Sequence, residues 1–321
     1  MKELADVALN VAQGRGASYA DVRIVRTLNQ FVTTREKRVE NVTNTESFGF
    51  GVRALVDGVW GFAASSMLQK DEVARVAERA VSIAKANSVI RRARITLVAV
   101  EKYPNAKYQT PVERDPFTVP LSEKADYLLK VNAEAGKVKG PGPMFVNSTM
   151  FFTKEEKFFA STEGSDIEQI LIRSWPSFTV TSVNPVTGRF EQRSSLGTPI
   201  GKGYETVAEY DLIGEAPRAA EQAVQKHTAK PVEPGRKDLV LHPTHLWLTI
   251  HESIGHPTEL DRVLGFEANY AGTSFATREK LGKFQYGSKF IQIKGDKTQA
   301  GGLATCGWDD DGVKTIEWDI I

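Results

Sequence analysis

Hydrophobic spacing changes period several times along this chain, and each change predicts an element. Leu4, Val7, Ala8 and Val11 recur at helical intervals within Lys2 to Ala12, before Gly14-Arg15-Gly16 interrupts them. Between residues 48 and 64 the period shortens to two. Phe48, Phe50, Val52, Ala54 and Val56 alternate with Gly49, Gly51, Arg53 and Leu55, and Trp60, Phe62 and Ala64 resume the alternation after Asp57-Gly58. Side chains on a strand point alternately to its two faces, and Asp-Gly tolerates the positive φ angles of a type I′ turn, so this stretch predicts a β-hairpin. Val73, Val76, Ala77, Ala80, Val81 and Ala84 then restore helical spacing from Asp71 to Ala86.

From Asn87 to Val119 periodicity fades and prolines stand at 104, 111 and 116, with another at 120, which predicts a linker or edge segment. Its basic cluster, Arg91, Arg92 and Arg94, reads as solvated surface rather than a phosphate site. A helix is expected from an N-cap at Ser122 to Ala135, with Gly136 near its stop. Strands follow at Met144 to Thr153, Phe158 to Ser161, Ile167 to Trp175 and Phe178 to Val183, with turns at Glu163-Gly164 and Thr187-Gly188. A further helix is expected over Ala216 to His227. Helix plus meander thus occurs twice without a recognisable sequence repeat, and the expected class is α+β, mainly antiparallel sheets with packed helices.

Composition narrows the functional classes. In 321 residues, 41 Lys and Arg offset 40 Asp and Glu, so a net charge of +1 gives no electrostatic bias toward nucleic acid or anionic membrane. With 41% hydrophobic and 25% charged residues the chain has globular rather than disordered or fibrous composition. Cys306 is the single cysteine, which excludes an intramolecular disulfide. The amino-terminal residues form no apolar signal region, and the apolar run Leu239 to Ile250 is interrupted by His242, Pro243 and His245, well short of the roughly 18 residues a membrane span needs. A soluble, cytoplasmic protein is expected.

All five histidines, 227, 242, 245, 251 and 256, fall within 30 residues. Thr244 to Gly255 reads as a helix striped by Leu246, Trp247, Ile250 and Ile254, and it carries His251-Glu252-Ser253-Ile254-Gly255-His256. Two imidazoles and a neighbouring carboxylate are the parts of a zinc hydrolase: ring nitrogens bind the metal, the metal acidifies water, and the carboxylate takes its proton. Histidines four apart lie about 40° apart around a helix, whereas these, five apart, lie about 140° apart. The expected remedy is local: Gly255 permits unusual dihedrals and Pro257 disfavours the α conformation at His256, so the helix should end there and His256 should turn back toward His251. The alternative is that both histidines cap a core helix. His242 and His245 are read as surface or capping residues. A calcium loop at Asp309-Asp310-Asp311-Gly312 lacks the twelfth-position glutamate, so a hairpin turn with exposed acids is expected. Cys306 is read as an inert thiol.

Val240 to Asp261, containing the His251 to His256 motif followed by Glu259 and Asp261, resembles the signature region of the TldD/PmbA family, in particular its TldD-type metallopeptidases. The resemblance extends to Ala17-Ser18-Tyr19-Ala20-Asp21-Val22-Arg23, Gly51-Val52-Arg53, Trp60-Gly61-Phe62-Ala63-Ala64, Ser161 to Gly164, Gly203-Tyr204-Glu205, Pro231 to Gly235 and Asp310-Asp311-Gly312-Val313. It is weakest over residues 90–145. The family implies a zinc-dependent peptidase acting on unfolded or extended peptides, paired with a paralogous PmbA (TldE)-type subunit or forming a homodimer. On that resemblance His251 and His256 are zinc ligands and Glu252 is the catalytic acid/base. It also implies three regions: an N-terminal α+β domain over 1–110, a helix and β-meander region over 111–235, and the start of the metallopeptidase C-terminal domain over 236–321.

Two departures matter. The family's third ligand is a cysteine near the end of a longer chain, a role that does not transfer to Cys306. Pro257 also stands where the family commonly has a small residue. The strand-like Ile316 to Ile321 stops without a polar tail, which predicts a fragment. A fragment with two ligands would bind zinc weakly, and would then act as a pairing or substrate-binding subunit rather than a peptidase.

Overall fold

The computed structural model describes residues 1–90 and 94–321; Arg91 and Arg92 of the basic cluster lie outside the described residues. The chain folds as two units, one of residues 1–228 with 296–317, the other of residues 229–295 with 318–321.

The first unit is built on a seven-stranded sheet. In chain order its elements are α1 (Lys2–Gly14), β1 (Tyr19–Arg35), β2 (Arg38–Val56), β3 (Val59–Ser65), α2 (Lys70–Asn87), β4 (Ala106–Gln109), α3 (Leu121–Ala135), β5 (Met144–Ser161), β6 (Asp166–Asn184), β7 (Arg189–Ser194), α4 (Thr206–Tyr210) and α5 (Leu212–Gln225). The strand order is β3-β2-β1-β5-β6-β4, with β7 also on β6. Every pairing is antiparallel except β4 with β6. The α+β expectation holds, and the predicted hairpin forms with Asp57 and Gly58 at φ 50° and 73°.

The strands run further than their alternation predicted. Residues 144–161 form one strand, as do 166–184, and all of β1 lies in a stretch that showed no strand pattern. The reason is charge on both faces. Lys154, Glu155, Lys157 and Arg173 interrupt the apolar rhythm, yet each is paired: Lys154 with Asp115 at 2.9 Å, Glu155 with Arg173 at 3.2 Å, and Lys157 with Asp310 at 2.7 Å. In β1, Asp21 is fully buried because Arg53 binds it at 2.7 Å and Arg23 at 2.9 Å. A buried charge is tolerated once it is paired, so the backbone ladder continues through polar stretches. Ser122 is not a cap; the N-cap of α3 is Pro120, without a side-chain hydrogen bond.

One face of the sheet carries all the large helices. α1 and α2 pack over Val22, Ile24, Phe50, Val52, Ala54, Phe158 and Ala160. α3 and α5 cover Val146, Phe178 and Val180 at the other end. Gly61 lets α2 approach β3: a Cβ there would collide with the backbone at Ala80 and Ala84. On the opposite face lie residues from 296–317. Gln169 there accepts the Gly307 and Trp308 amides at 2.9 and 3.0 Å and donates to the Trp308 carbonyl at 3.0 Å. The Asp309–Gly312 turn is the expected hairpin turn with exposed acids, two of which are also paired: Asp311 with Arg53 at 2.5 Å and Asp310 with Lys157. The Lys157 ammonium holds the Asp310 carboxyl below the usual carboxylate range.

The second unit contains α6 (Pro243–Ile250) and α7 (Leu260–Val263). At the bounds of the two units, two short strands, β8 (Lys294–Asp296) and β9 (Glu317–Asp319), pair with each other. Among the described residues no helix is long and apolar enough to cross a membrane.

Candidate metal centre

The segment that carries the motif begins at a capped helix. His242 is the N-cap of α6: its Nδ1 accepts the Thr244 amide at 3.3 Å, and Pro243 occupies the first turn, where a missing N–H costs nothing. His242 is therefore a cap and His245 is exposed, as expected. His227 lies in the first unit with its Nε2 3.1 Å from Ser182 Oγ.

Beyond Ile250 the helix changes hydrogen-bonding pattern. Residues 251–255 form one π turn, closed by the bond from the His256 amide to the His251 carbonyl. An i→i+5 bond adds a residue to the turn and brings side chains five apart onto one side. This corrects the sequence expectation. His256 does not leave the helical region, with φ −61° and ψ −46°, and Gly255 adopts no unusual dihedral. The π turn, not a helix break, aligns the histidines.

Pro257 contributes through its missing N–H. In a continuing α-helix that donor would serve the Ser253 carbonyl. Here the Ser253 carbonyl accepts the Tyr286 hydroxyl, and Tyr286 is held by ring contacts with Phe275 and Phe284, at 5.3 and 6.0 Å between centroids. Thr258 Oγ1 donates to the Ile254 carbonyl at 2.7 Å and closes the end of the segment. Ile254 is the buried anchor of the turn.

The side chains converge accordingly. The rings of His251 and His256 sit edge to face with centroids 4.3 Å apart, and Glu252 Oε2 lies 3.8 Å from His256 Nε2. One ligand atom from each of His251, Glu252 and His256 falls within 4.8 Å of the others, so that among the described residues these three could hold an ion together. The donor set is two borderline-soft imidazoles and a carboxylate, the combination zinc takes in hydrolytic sites, so these residues fit that metal.

A second layer fixes His256. Its Nδ1 lies 2.8 Å from Glu259 Oε1, and the other oxygen of Glu259 pairs with Arg262 at 3.1 Å. Arg262 Nη2 also approaches Nδ1 at 3.3 Å. The shorter, charge-assisted contact assigns the proton: Nδ1–H donates to Glu259, leaving the Nε2 lone pair on the side of His251 and Glu252. Glu259 stood in the motif region without a role, although its i+3 spacing from His256 was readable. Tyr286, 33 residues from Ser253, left no sequence signal.

Cys306 belongs to the first unit, where it lines a cavity of about 400 Å³ with Tyr108, Arg173 and Trp308. Burial pushes its thiol pKa up, the opposite of what a reactive or ligating thiolate needs.

Comparison with known proteins gives the lineage. Residues 20–84 match the PmbA/TldA metallopeptidase domain 1, and residues 114–229 match the PmbA/TldA metallopeptidase central domain. The chain belongs to the PmbA/TldD family. Both matched stretches lie in the first unit but for Ala229, and outside the His251–His256 segment. Relatives include a metalloprotease of Methanocaldococcus jannaschii, 25% identical over 305 residues that make up 94% of this chain and 63% of the relative. Another is a zinc metalloprotease TldD homolog of Saccharolobus solfataricus, 22% identical over 97% of this chain and 64% of the relative. The chain thus spans less than two thirds of the length of the curated relatives it matches. Among solved structures, a Thermotoga maritima protein described as a candidate modulator of a DNA gyrase superposes with a TM-score of 0.72 at 17% identity, covering 100% of this chain and 68% of that one. TldE from Thermococcus kodakarensis gives 0.57 at 16% identity, over 99% and 67%. At such identities these likenesses establish the fold.

Proposed function

We propose that this chain carries the metal site of a zinc-dependent peptidase that hydrolyses unfolded or extended peptides, working with a paralogous TldE-type subunit or a second copy. The observation that carries the reading is the convergence of His251, Glu252 and His256 on one π turn. The metalloprotease names of its relatives support it.

His251 and His256 would hold the ion through their ring nitrogens, with His256 oriented by Glu259. Bound there, zinc would supply a Lewis acid for a peptide carbonyl and acidify water. Glu252, more than half exposed beside His256, would take a proton and hand it to the leaving amine. Its carboxylate is free for that role only if a further ligand completes the ion's coordination, because a catalytic zinc ordinarily takes three protein ligands.

That ligand count also supports a second reading, in which the chain is a catalytically incomplete pairing or substrate-binding subunit. The Glu252→Gln variant separates the two. On the first reading it retains zinc, measured as metal per chain after dialysis against a mild chelator, and loses cleavage of an unfolded peptide by at least about 100-fold. Undiminished cleavage sinks the role of Glu252; zinc absent from the unsubstituted chain favours the second reading.

A further inference from the structure

The sheet leaves one long strand edge bare. β3 pairs with β2 only over residues 50–56, so residues 38–49 of β2 have β1 on one side and no backbone partner on the other among the described residues. Residues 38–48 are exposed throughout. The register of β1 with β2 shifts between Thr33 and Thr34, which places an irregularity at the hairpin tip and leaves residues 41–49 as a regular run of nine. Such an edge is a row of free N–H and C=O groups about 30 Å long. Asn41 to Gly49 contains no proline, lysine or arginine to blunt it.

We propose that this edge pairs with the same edge of a second copy of the chain, antiparallel about a two-fold axis at Thr45. Symmetric antiparallel pairing must match residues on the same face, so the axis passes at a residue rather than between two. The side chains then choose which. Centred on Thr45, Val42 meets Phe48, both partly exposed apolar groups, Thr43 meets Ser47, Asn44 meets Glu46 and Thr45 meets itself. Each is a favourable cross-strand combination of apolar partners or hydrogen-bonding groups. An axis at Glu46 sets two carboxylates opposite each other and Phe48 against Asn44. One at Asn44 sets Val42 against Glu46 and leaves Phe48 beyond the paired run. The electrostatic and apolar matches therefore favour Thr45, and they favour the chain itself over an unrelated extended peptide, whose sequence would have no reason to complement this run.

A self-paired residue permits a decisive test. Thr45→Lys alone and Thr45→Glu alone each place like charges across the axis, at an exposed position, while a mixture of the two places Lys against Glu. Sedimentation equilibrium of the 321-residue chain should show a dimer, weakened at least about tenfold in either variant and restored in the equimolar mixture, with circular dichroism unchanged. A monomeric parent chain at about 100 μM, a dimer indifferent to both substitutions, or a mixture that stays monomeric would each overturn the proposal. So would Thr45→Lys abolishing capture of an extended peptide while leaving the oligomeric state untouched.

Discussion

Replacing Glu259 with Gln tests whether the second layer at His256 matters. The substitution preserves length and an acceptor oxygen but removes the charge from two contacts, 2.8 Å to His256 Nδ1 and 3.1 Å to Arg262. A hydrogen bond to a charged group contributes about 1.5–3 kcal/mol and a neutral one about 0.5–1.5, so roughly 1–1.5 kcal/mol of orientation at His256 should be lost. Carried into metal binding, that is about a tenfold rise in the zinc Kd, at the lower end of the 10–100-fold range for outer-layer partners. The assay is competition for zinc against a chromophoric chelator, with His256→Ala as the variant that should lose the ion altogether. A Glu259→Gln protein that binds zinc within about twofold of the parent, while His256→Ala does not bind, refutes the positioning role. Failure of the parent chain to bind zinc would instead undermine the metal reading itself, so the two failures are distinguishable.

Two further outcomes follow from the packing. Lys124 is fully buried on α3, donating to the Pro116 carbonyl at 2.6 Å and to Gln30, and burial pulls its pKa down to about 8. Because the unfolded chain holds that proton up to about pH 10.4, it binds more protons than the native state between the two values, and stability should rise with pH across that window, by up to ~3 kcal/mol from this group. Urea unfolding at pH 7.5 and 10 should show the rise in the parent and not in Lys124→Met; an equal rise in both would refute the assignment. Gly61→Ala should lower stability by about 1–3 kcal/mol, since its methyl meets backbone of α2 rather than a movable side chain. An unchanged thermal midpoint would show that α2 can withdraw at no cost.

Periodicity alone was enough for α1, α2 and the Asp57-Gly58 hairpin, because there the apolar face is continuous and the turn chemistry is local. The candidate donor set could likewise be picked out in the sequence, as His251, Glu252 and His256, and the structure brings one ligand atom of each within 4.8 Å of the others. What local pattern could not contain is whatever depends on partners distant in sequence. Asp21 sits in the sheet because Arg53 reaches it from the next strand, and the charges of β5 are tolerated because Asp115, Arg173 and Asp310 come to meet them. The alignment of His251 with His256 belongs to the same class. Rotation per residue in an ordinary helix argued against it, and the resolution lay in a π turn beside which the Ser253 carbonyl, left without a donor by Pro257, is satisfied by Tyr286, far along the chain. Sequence by itself determined which groups could act; tertiary structure decided their directions, since a side chain's aim depends on backbone hydrogen bonds that only folding completes.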